Sequence, residues 1–490
     1  MREHWSRRTL LAWVALAAGG CAASTPTASA RPAGAPPTTR AESVIVVGAG
    51  LAGLACAYRL MTRGQSVLVL EASERAGGRI CTLRQPWRDG LFVEAGASHL
   101  VPDPALLALL GELELRVEPR PAAPQLARVH LFANERRVLP PGVKPPRAQP
   151  LSAAEQALGE ESLMDHYFAE ARTYDPTAAF PTALLALDDL SGAEYLRRQG
   201  ASPGFVQDID GMLGVGDAGL EGMSALWLVH SWAQILREIQ LGPSRRLVGG
   251  FDRLPHELAR RLGERIVYGA RVVAVTQRPA SVSVTFERAG VRTTRSAERV
   301  VFAIPPPLLR TLLVTPALSP EKQRALQELP LESVTRVWLE TDRRFWLERG
   351  ESGRVDTDLA AGPVRDETEG APGVAGVLGL YATRREARRL ANLSEQERIQ
   401  AGLAYAERAH PGLRQHFVVG ASRSWDSEPF QRGAYAYFQP GQIRALGPHL
   451  GSAEGRCHFC GDHTSQRPGF MHGALASAWR VVAELPPRAS

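Results

Sequence analysis

Cysteine, lysine and long apolar runs are scarce in this chain. Only five of its 490 residues are cysteine, which excludes a disulfide-rich scaffold. Beyond residue 40 no run approaches the roughly 20 apolar residues that a membrane span needs, so an integral membrane protein is not expected. Lysine occurs only at Lys144 and Lys322, so all but two of the 57 basic residues are arginine.

The net charge of +6 is modest, and the sequence contains no basic run or basic–aromatic patch. Nucleic acid is therefore not an expected partner. The 44% of hydrophobic and 22% of charged residues are ordinary for a globular protein. At roughly 150 residues per domain, a chain of 490 residues is expected to form about three domains.

The first 40 residues have the pattern of a targeting segment. Basic residues precede a short apolar run at 10–18, which is the length of a signal-peptide core. Residues 6–11 resemble a twin-arginine export signal. Residues 18–21 resemble a bacterial lipobox in which Cys21 carries the lipid. We predict a signal peptide over 1–20, a flexible linker over 21–40 and an exported, periplasmic or extracytoplasmic protein. Cleavage without lipid attachment is the alternative.

A strand, a glycine-rich turn and a helix follow this segment directly. Residues 43–47 are a continuous apolar run, typical of a strand buried on both faces. The turn GAGLAG at 48–53 has the glycine spacing of a dinucleotide-binding fingerprint. In that fingerprint Gly48 permits the tight turn, Gly50 lets the backbone approach a pyrophosphate, and Gly53 lets the helix pack on the strand.

A second strand over 66–70 ends in Glu71, which is placed to accept hydrogen bonds from an adenosine ribose. The run 75–79, RAGGR, offers a second close backbone approach to the same pyrophosphate. The helix N-terminus directs its positive dipole end at the phosphates. The sequence therefore predicts a dinucleotide site, formed by Gly48, Gly50, Ala52, Gly53, Glu71, Arg75, Gly78 and Arg79.

These motifs together resemble the N-terminus of the flavin-containing amine oxidase family, which implies FAD rather than NAD. The resemblance continues in the family's order to about residue 485. It includes AIPP at 303–306, GAY at 433–435, a strand ending in GD at 461–462, and a helix opening with GFMHGA at 469–474. It implies an α/β fold in which a Rossmann-like FAD domain is interleaved with a mixed α+β substrate domain.

The implied boundaries divide the chain into five segments after the linker. The FAD-binding parts are 41–105, 241–310 and 426–486, the helical part of the substrate domain is 106–240, and its sheet part is 311–425. The resemblance also implies further cofactor contacts, at Gly96, Ala97, Ser98, Val272, Gly461, Asp462, Phe470 and Met471.

The resemblance implies oxidation of the C–N bond of an amine by hydride transfer to flavin N5, hydrolysis of the imine, and passage of the electrons to O2. Tyr435 and Phe470 match the family's two aromatics that flank the amine. Arg336 stands where a family lysine usually holds a water near N5. Arginine keeps its proton at working pH and has a planar fork instead of a point charge, so the use of O2 becomes less certain. Ala434 stands where covalent-flavin members have cysteine, which implies non-covalent FAD.

Three alternatives remain open. Amino-acid oxidases of this family usually place an arginine for the substrate carboxylate where this chain has His99, and a neutral imidazole is a poor anchor for a carboxylate. Amino-acid substrates are therefore disfavoured, and Arg336 leaves open a dehydrogenase that passes its electrons to another acceptor. A flavin-dependent desaturase of an apolar substrate and a non-catalytic flavoprotein are the others.

The expected partners are a small amine and O2 or another electron acceptor, with membrane contact only through a lipid on Cys21. Cys457 and Cys460 are spaced like metal ligands, but strand alternation scatters their side chains to both faces, so no metal is expected.

Overall fold

The computed structural model describes residues 42–121, 125–132, 135–143, 147, 149–359 and 361–485. The predicted signal peptide, the linker over 21–40 and Cys21 lie outside the described residues. Within those ranges no helix has the length and apolar character needed to cross a bilayer.

The helices and strands follow in chain order. The strands are β1 Glu42–Val47, β2 Val67–Leu70, β3 Thr82–Leu83, β4 Val93–Glu94, β5 Val117–Pro119, β6 Ala127–Phe132, β7 Glu135–Leu139, β8 Arg245–Leu247, β9 Ile266–Val267, β10 Arg271–Gln277, β11 Val282–Arg288, β12 Val291–Phe302, β13 Leu313–Thr315, β14 Val334–Thr341, β15 Glu351–Thr357, β16 Val364–Asp366, β17 Gly376–Thr383, β18 Phe417–Ser424 and β19 Cys457–Phe459. The α-helices are α1 Leu51–Thr62, α2 Pro104–Glu112, α3 Ala153–Leu158, α4 Glu160–Tyr167, α5 Gly192–Arg198, α6 Pro203–Leu213, α7 Ala225–Leu241, α8 Arg253–Leu262, α9 Pro306–Leu309, α10 Pro320–Glu328, α11 Phe345–Glu348, α12 Arg384–Ala391, α13 Glu395–Ala409, α14 Leu413–His416, α15 Gln442–Leu450 and α16 Met471–Glu484.

The first sheet has the strand order β13-β10-β11-β12-β1-β2-β9, with β19 paired to β12. Strand β1 lies at its centre, parallel to both β12 and β2. Its residues 44–47 are buried because the sheet is covered on both faces, which confirms the prediction from the continuous apolar run. Helices α1 and α16 pack together on one face, through residues such as Leu54 and Leu475. The sheet draws its strands from three distant stretches of the chain.

The second sheet has the order β18-β14-β17-β16-β15-β6-β7. One face packs against α13, with Val337 and Leu380 opposite Leu403. Trp338 lies on the opposite face and contacts a cluster that includes Trp87, which follows the RAGGR run in the first FAD-binding segment. A helical core around α7 completes this part of the molecule. The predicted arrangement, a dinucleotide-binding α/β domain interleaved with a mixed domain, is confirmed.

Candidate active site

A cavity of about 570 Å³ opens where the parallel strands of the first sheet end. Its wall includes Val47 at the end of β1 and Gly48 after it, Glu71 after β2, Ala303 after β12, and Gly461 after β19. Ligands of open α/β sheets bind at the carboxyl ends of the strands, where loops from neighbouring strands diverge. The cavity therefore occupies the position that a dinucleotide takes in such a fold.

The three glycines of the turn have different surroundings. A Cβ on Gly53 would lie 2.1 Å from the carbonyl oxygen of Gly48, so only glycine lets α1 pack this closely on the turn. Gly48 has a φ of +104° and would place a Cβ 2.8 Å from the carbonyl oxygen of Ala303. Gly50 has no atom within 4 Å of its Cβ position, and it is the N-cap of α1. The space beside Gly50 and the exposed N–H groups of the helix suit a pyrophosphate.

Glu71 is fixed at the cavity wall by three hydrogen bonds. Its Oε2 accepts from the N–H of Ala49 at 2.6 Å. Its Oε1 accepts from the N–H of Ser73 at 2.8 Å and from the Ser73 hydroxyl at 2.7 Å. Val272, which the resemblance implies is a cofactor contact, lines the same cavity. A carboxylate held this rigidly is pre-organised to accept from a ribose hydroxyl.

The RAGGR loop lies against the glycine turn. The backbone N–H of Gly77 donates to the carbonyl of Ala49 at 2.8 Å. Arg75 does not line the cavity. Its Nη2 donates to the carbonyl of Gly78 at 2.6 Å, and its Nη1 donates to that of Ile80 at 3.3 Å, so it braces the loop from behind. Gly78 lines the cavity directly.

Arg79 and Asp462 join the two ends of the chain across the cavity. They form an ion pair, although 383 residues separate them. The other carboxylate oxygen of Asp462 accepts from the N–H of Gly469 at 2.8 Å. Burial acts to raise the pKa of Asp462, but the charge of Arg79 and the neighbouring His463 hold that pKa below its usual range. Asp462 is therefore ionised, and it fixes the loop that leads into α16.

Tyr435, Phe470 and Met471 line one end of the cavity. Phe470 is the N-cap of α16, so the amides that start this helix face the cavity. Burial raises the pKa of Tyr435 well above its usual value, which keeps the hydroxyl protonated. The backbone carbonyl of Tyr435 accepts from the N–H of Glu332 at 2.8 Å, which holds the segment beside β14. The buried Ala434 also lines the cavity.

The loop after RAGGR contributes to the cavity through Ala97. Gly96 is not part of the cavity wall. It packs against Arg79, since a Cβ there would be 2.1 Å from the carbonyl oxygen of Arg79. Ser98 is buried outside the cavity wall, and its carbonyl accepts from Arg120 at 3.2 Å. Burial first, and then the charge of Arg120, lower the pKa of His99 to about 3. His99 is therefore neutral at physiological pH.

Arg336 also lies behind the wall rather than in it. Its Nη1 donates to the carbonyl of Glu94 at 2.7 Å, and its Nη2 pairs with Glu367 at 2.5 Å. The rings of Trp338 and Tyr381 lie 5.0 Å and 5.6 Å from its guanidinium carbon. Both terminal nitrogens of the guanidinium therefore donate to protein groups, which directs them away from the cavity. The sequence identified the position but not these partners.

A buried ion pair beside Phe470 was missed by the sequence analysis. The guanidinium carbon of Arg467 lies 3.8 Å from the centroid of the Phe470 ring. Glu238, from the last turn of α7, pairs with Arg467 at 2.8 Å. Arg467 stands three residues before Phe470, so its closeness to that ring could have been predicted from the sequence. No local pattern connects it to a glutamate 229 residues earlier in the chain.

Comparison with known proteins agrees with this geometry. The family model described as "Flavin containing amine oxidoreductase" matches residues 51–486. The chain is 30% identical over 468 residues to the "Putative L-amino-acid oxidase YobN" of Bacillus subtilis (strain 168), covering 91% of this chain and 94% of that protein. It is 25% identical to an L-amino-acid oxidase of Demansia vestigiata, covering 91% of this chain and 87% of that protein. The solved structure of putrescine oxidase bound to putrescine matches with a TM-score of 0.75 and 26% identity, covering 91% and 99% of the two chains.

Proposed function

Because this chain belongs to the family of flavin-containing amine oxidoreductases and is an FAD-dependent amine oxidase, we propose that it binds a small amine between Tyr435 and Phe470 and oxidises its C–N bond. The observation that carries the proposal is that both aromatics line the same cavity as the glycine turn and Glu71. In this proposal the substrate amine and the dinucleotide share one cavity.

Residues from both ends of the chain suit the cofactor. The open space at Gly50 and the fixed carboxylate of Glu71 fit its pyrophosphate and ribose. The backbone amides at the start of α16, beginning with Met471, fit a ring system that gains negative charge on reduction. Bound FAD supplies the hydride acceptor for the reaction. Ala434 offers no thiol for a covalent link, so we propose non-covalent binding.

The protein's own contribution is to orient the amine and to remove its proton. Two aromatic walls exclude water from the amine, and desolvation lowers the pKa of an ammonium group. The neutral amine, which has the electron pair needed for oxidation, is thereby favoured. The high pKa of Tyr435 keeps its hydroxyl from becoming a competing anion beside the substrate.

The proposed electron acceptor is O2. One observation favours an alternative acceptor, such as an exported redox protein. Arg336 lies behind the cavity wall, with its Nη1 and Nη2 directed at the Glu94 carbonyl and the Glu367 carboxylate, so it does not present a single free ammonium to a water in the cavity.

We also propose export to the extracytoplasmic face, with a lipid on Cys21 as the anchor. The support is the pattern of residues 6–11 and 18–21 in the sequence. Membrane fractionation of the wild type and of Cys21→Ser tests it. The wild type is expected in the membrane fraction and the variant in the soluble one, whereas an identical distribution would contradict the lipid anchor.

One experiment tests substrate class and acceptor together. The holoenzyme is mixed under nitrogen with primary amines, secondary amines, polyamines and L-amino acids, and flavin absorbance is followed before and after air is admitted. We expect at least one substrate to bleach the flavin and air to restore its colour. A flavin that no substrate bleaches would contradict amine oxidation, and one that bleaches but is not restored by air would point to another acceptor.

A further inference from the structure

We propose that Arg467 is a positioning residue which acts through the Phe470 ring and makes the aromatic wall of the amine site favour a neutral amine over an ammonium ion. The inference rests on the proposed function, because it assumes that the substrate amine lies beside Phe470. Arg467 does not line the cavity and is not expected to touch the substrate. Its effect passes through the ring, which it contacts and which does line the cavity.

The guanidinium of Arg467 stacks on Phe470. Its central carbon lies 3.8 Å from the ring centroid, which is a close cation–π contact. An aromatic ring attracts cations because its π electrons make its faces negative. A second cation beside the same ring meets the positive charge of the guanidinium, whereas an uncharged amine does not. The Arg467 side chain is only 13% exposed, so water screens this repulsion weakly.

Glu238 holds the guanidinium in place. Its Oε1 contacts both Nε and Nη2 of Arg467, at 2.9 Å and 2.8 Å, and its own side chain is 0% exposed. The carboxylate partly compensates the charge of Arg467, but Arg467 is the member of the pair that stacks on the ring. The aromatic wall therefore has a cation as its direct neighbour.

Backbone contacts also fix the position of Arg467. Its N–H donates to the hydroxyl of Ser465 at 3.1 Å. A Cβ on Gly473, in the first turn of α16, would clash with the carbonyl oxygen of Arg467, so the helix packs directly on this segment. The carbonyl of Gln466 contacts Nε2 of His230, on α7, at 2.7 Å. Arg467 is therefore a fixed neighbour of the ring rather than a mobile surface arginine.

The other titratable groups in these surroundings keep one protonation state where an alkylamine titrates. Burial lowers the pKa of His472 to about 3, with a smaller contribution from the charge of Arg467. Burial likewise lowers the pKa of His99 to about 3 and that of His230 to about 4. On the other aromatic wall, burial raises the pKa of Tyr435 well above its usual value. The three histidines are therefore neutral and the tyrosine is protonated.

The remaining charged groups nearby already have partners. Arg237, one residue before Glu238, pairs with Asp103 at 3.2 Å. Asp462 forms its ion pair with Arg79. Arg120 donates to a backbone carbonyl at 3.2 Å. The charge that stacks on the aromatic wall is therefore a separate feature of the site.

The test uses two ligands of the same shape that differ in charge, phenyltrimethylammonium and its uncharged carbon isostere, tert-butylbenzene. Each is titrated into the oxidised holoenzyme, and its Kd is read from the change in flavin absorbance. We expect Arg467→Met to tighten binding of the cation roughly three- to thirtyfold relative to the isostere, which is the range of cation–π energies. Arg467→Lys keeps the charge and should retain the wild-type ratio. An unchanged ratio in Arg467→Met would overturn the inference.

The pH dependence of anaerobic flavin reduction gives a second readout. With an amine that reduces the flavin, the limiting rate should rise with pH as the bound ammonium loses its proton. Loss of the cation behind the ring stabilises the ammonium, so the apparent pKa of this profile should rise by about 0.5 to 1.5 pH units in Arg467→Met. Glu238→Gln leaves Arg467 uncompensated and should lower the same pKa. A merely structural role for Arg467 would change the rates without moving the profile.

Arg237→Gln is the matched control, because it removes an arginine that pairs with Asp103 and does not stack on the ring. It should leave both readouts nearly unchanged, and a change as large as that of Arg467→Met would overturn the action through Phe470. If Arg467→Met alone fails to bind FAD, the double variant Arg467→Met/Glu238→Gln tests the same shift without an unpaired buried charge. A wild-type flavin that no amine reduces would instead overturn the proposed function, whereas the ratio of the two ligands tests the ring by itself.

Discussion

Replacing Gly50 and Gly53 separately by alanine distinguishes binding of the cofactor from stability of the fold. Gly50 has φ −70° and ψ 172°, which alanine adopts without strain, and no atom lies within 4 Å of the added Cβ. We therefore expect Gly50→Ala to change the unfolding free energy of the apoprotein by no more than about 0.5 kcal/mol. The same methyl group would occupy the space left for the pyrophosphate. A loss of affinity for FAD of roughly a hundredfold, or about 2.7 kcal/mol, is expected.

Gly53→Ala should behave in the opposite way. Its Cβ would lie 2.1 Å from the carbonyl oxygen of Gly48 and 3.0 Å from the Cβ of Ala303. Both contacts lie within the packed turn, so α1 must move, at a cost of about 3 kcal/mol. Gly111→Ala is the matched control, because that helical position is open and distant from the turn. Alanine there should be neutral or stabilise by up to about 1 kcal/mol.

The assay measures thermal unfolding of the three apoproteins and titrates each with FAD by flavin fluorescence. The expected result is normal apoprotein stability with weak FAD binding for Gly50→Ala, and reduced apoprotein stability for Gly53→Ala. The reasoning would be refuted if Gly50→Ala bound FAD as tightly as Gly111→Ala. It would also be refuted if the apoproteins of Gly50→Ala and Gly53→Ala were destabilised equally.

Three other predictions concern different parts of the molecule. Arg336→Lys replaces the guanidinium fork by a single ammonium and should raise the rate of flavin reoxidation by O2 about tenfold or more, measured by stopped-flow absorbance. An unchanged rate would show that Arg336 does not influence the reaction with O2. Despite its burial, hydrogen bonds from Ser202 and Ser152 lower the pKa of Glu155 to about 2, so the stability it contributes is present above pH 4.5 and is lost as pH falls toward 2. Glu155→Gln should cost about 2 kcal/mol in urea unfolding at pH 7 and much less at pH 3, and an equal loss at both pH values would contradict the sign of that shift. Acid precipitation should release all flavin into the supernatant, since Ala434 has no thiol, whereas a yellow pellet that resists washing would contradict non-covalent binding.

Local sequence patterns were sufficient to predict much of the dinucleotide site. The apolar run of β1, the glycine spacing and the acid at Glu71 lie within about 30 residues, and short-range geometry determines their arrangement. The partners of Arg336 and Arg467 could not be predicted in the same way. Glu367 and Glu238 reach these arginines only through the pairing of distant strands and the docking of α7, and neither contact leaves a periodic pattern in the sequence.

The contrast between local patterns and distant contacts also explains which predicted residues lie outside the cavity wall. The family resemblance identifies Arg75 and Gly96 as part of the dinucleotide site, but it does not show whether they touch the ligand or support residues that do. Arg75 binds carbonyls of its own loop, and Gly96 permits close packing beneath Arg79. Distinguishing the two roles requires the three-dimensional path of the loop.

The ion pair between Arg79 and Asp462 has a consequence for biosynthesis. During translation, Arg79 leaves the ribosome long before Asp462 does, and β19 completes its pairing with β12 only when residues 457–459 have been made. A nascent chain that still lacks this strand has only part of the dinucleotide site, with the turn at Gly48 formed but the opposite wall of the cavity missing. Loading of the nucleotide must therefore wait until synthesis has passed residue 462, and a ribosome stalled before that point would carry a colourless product.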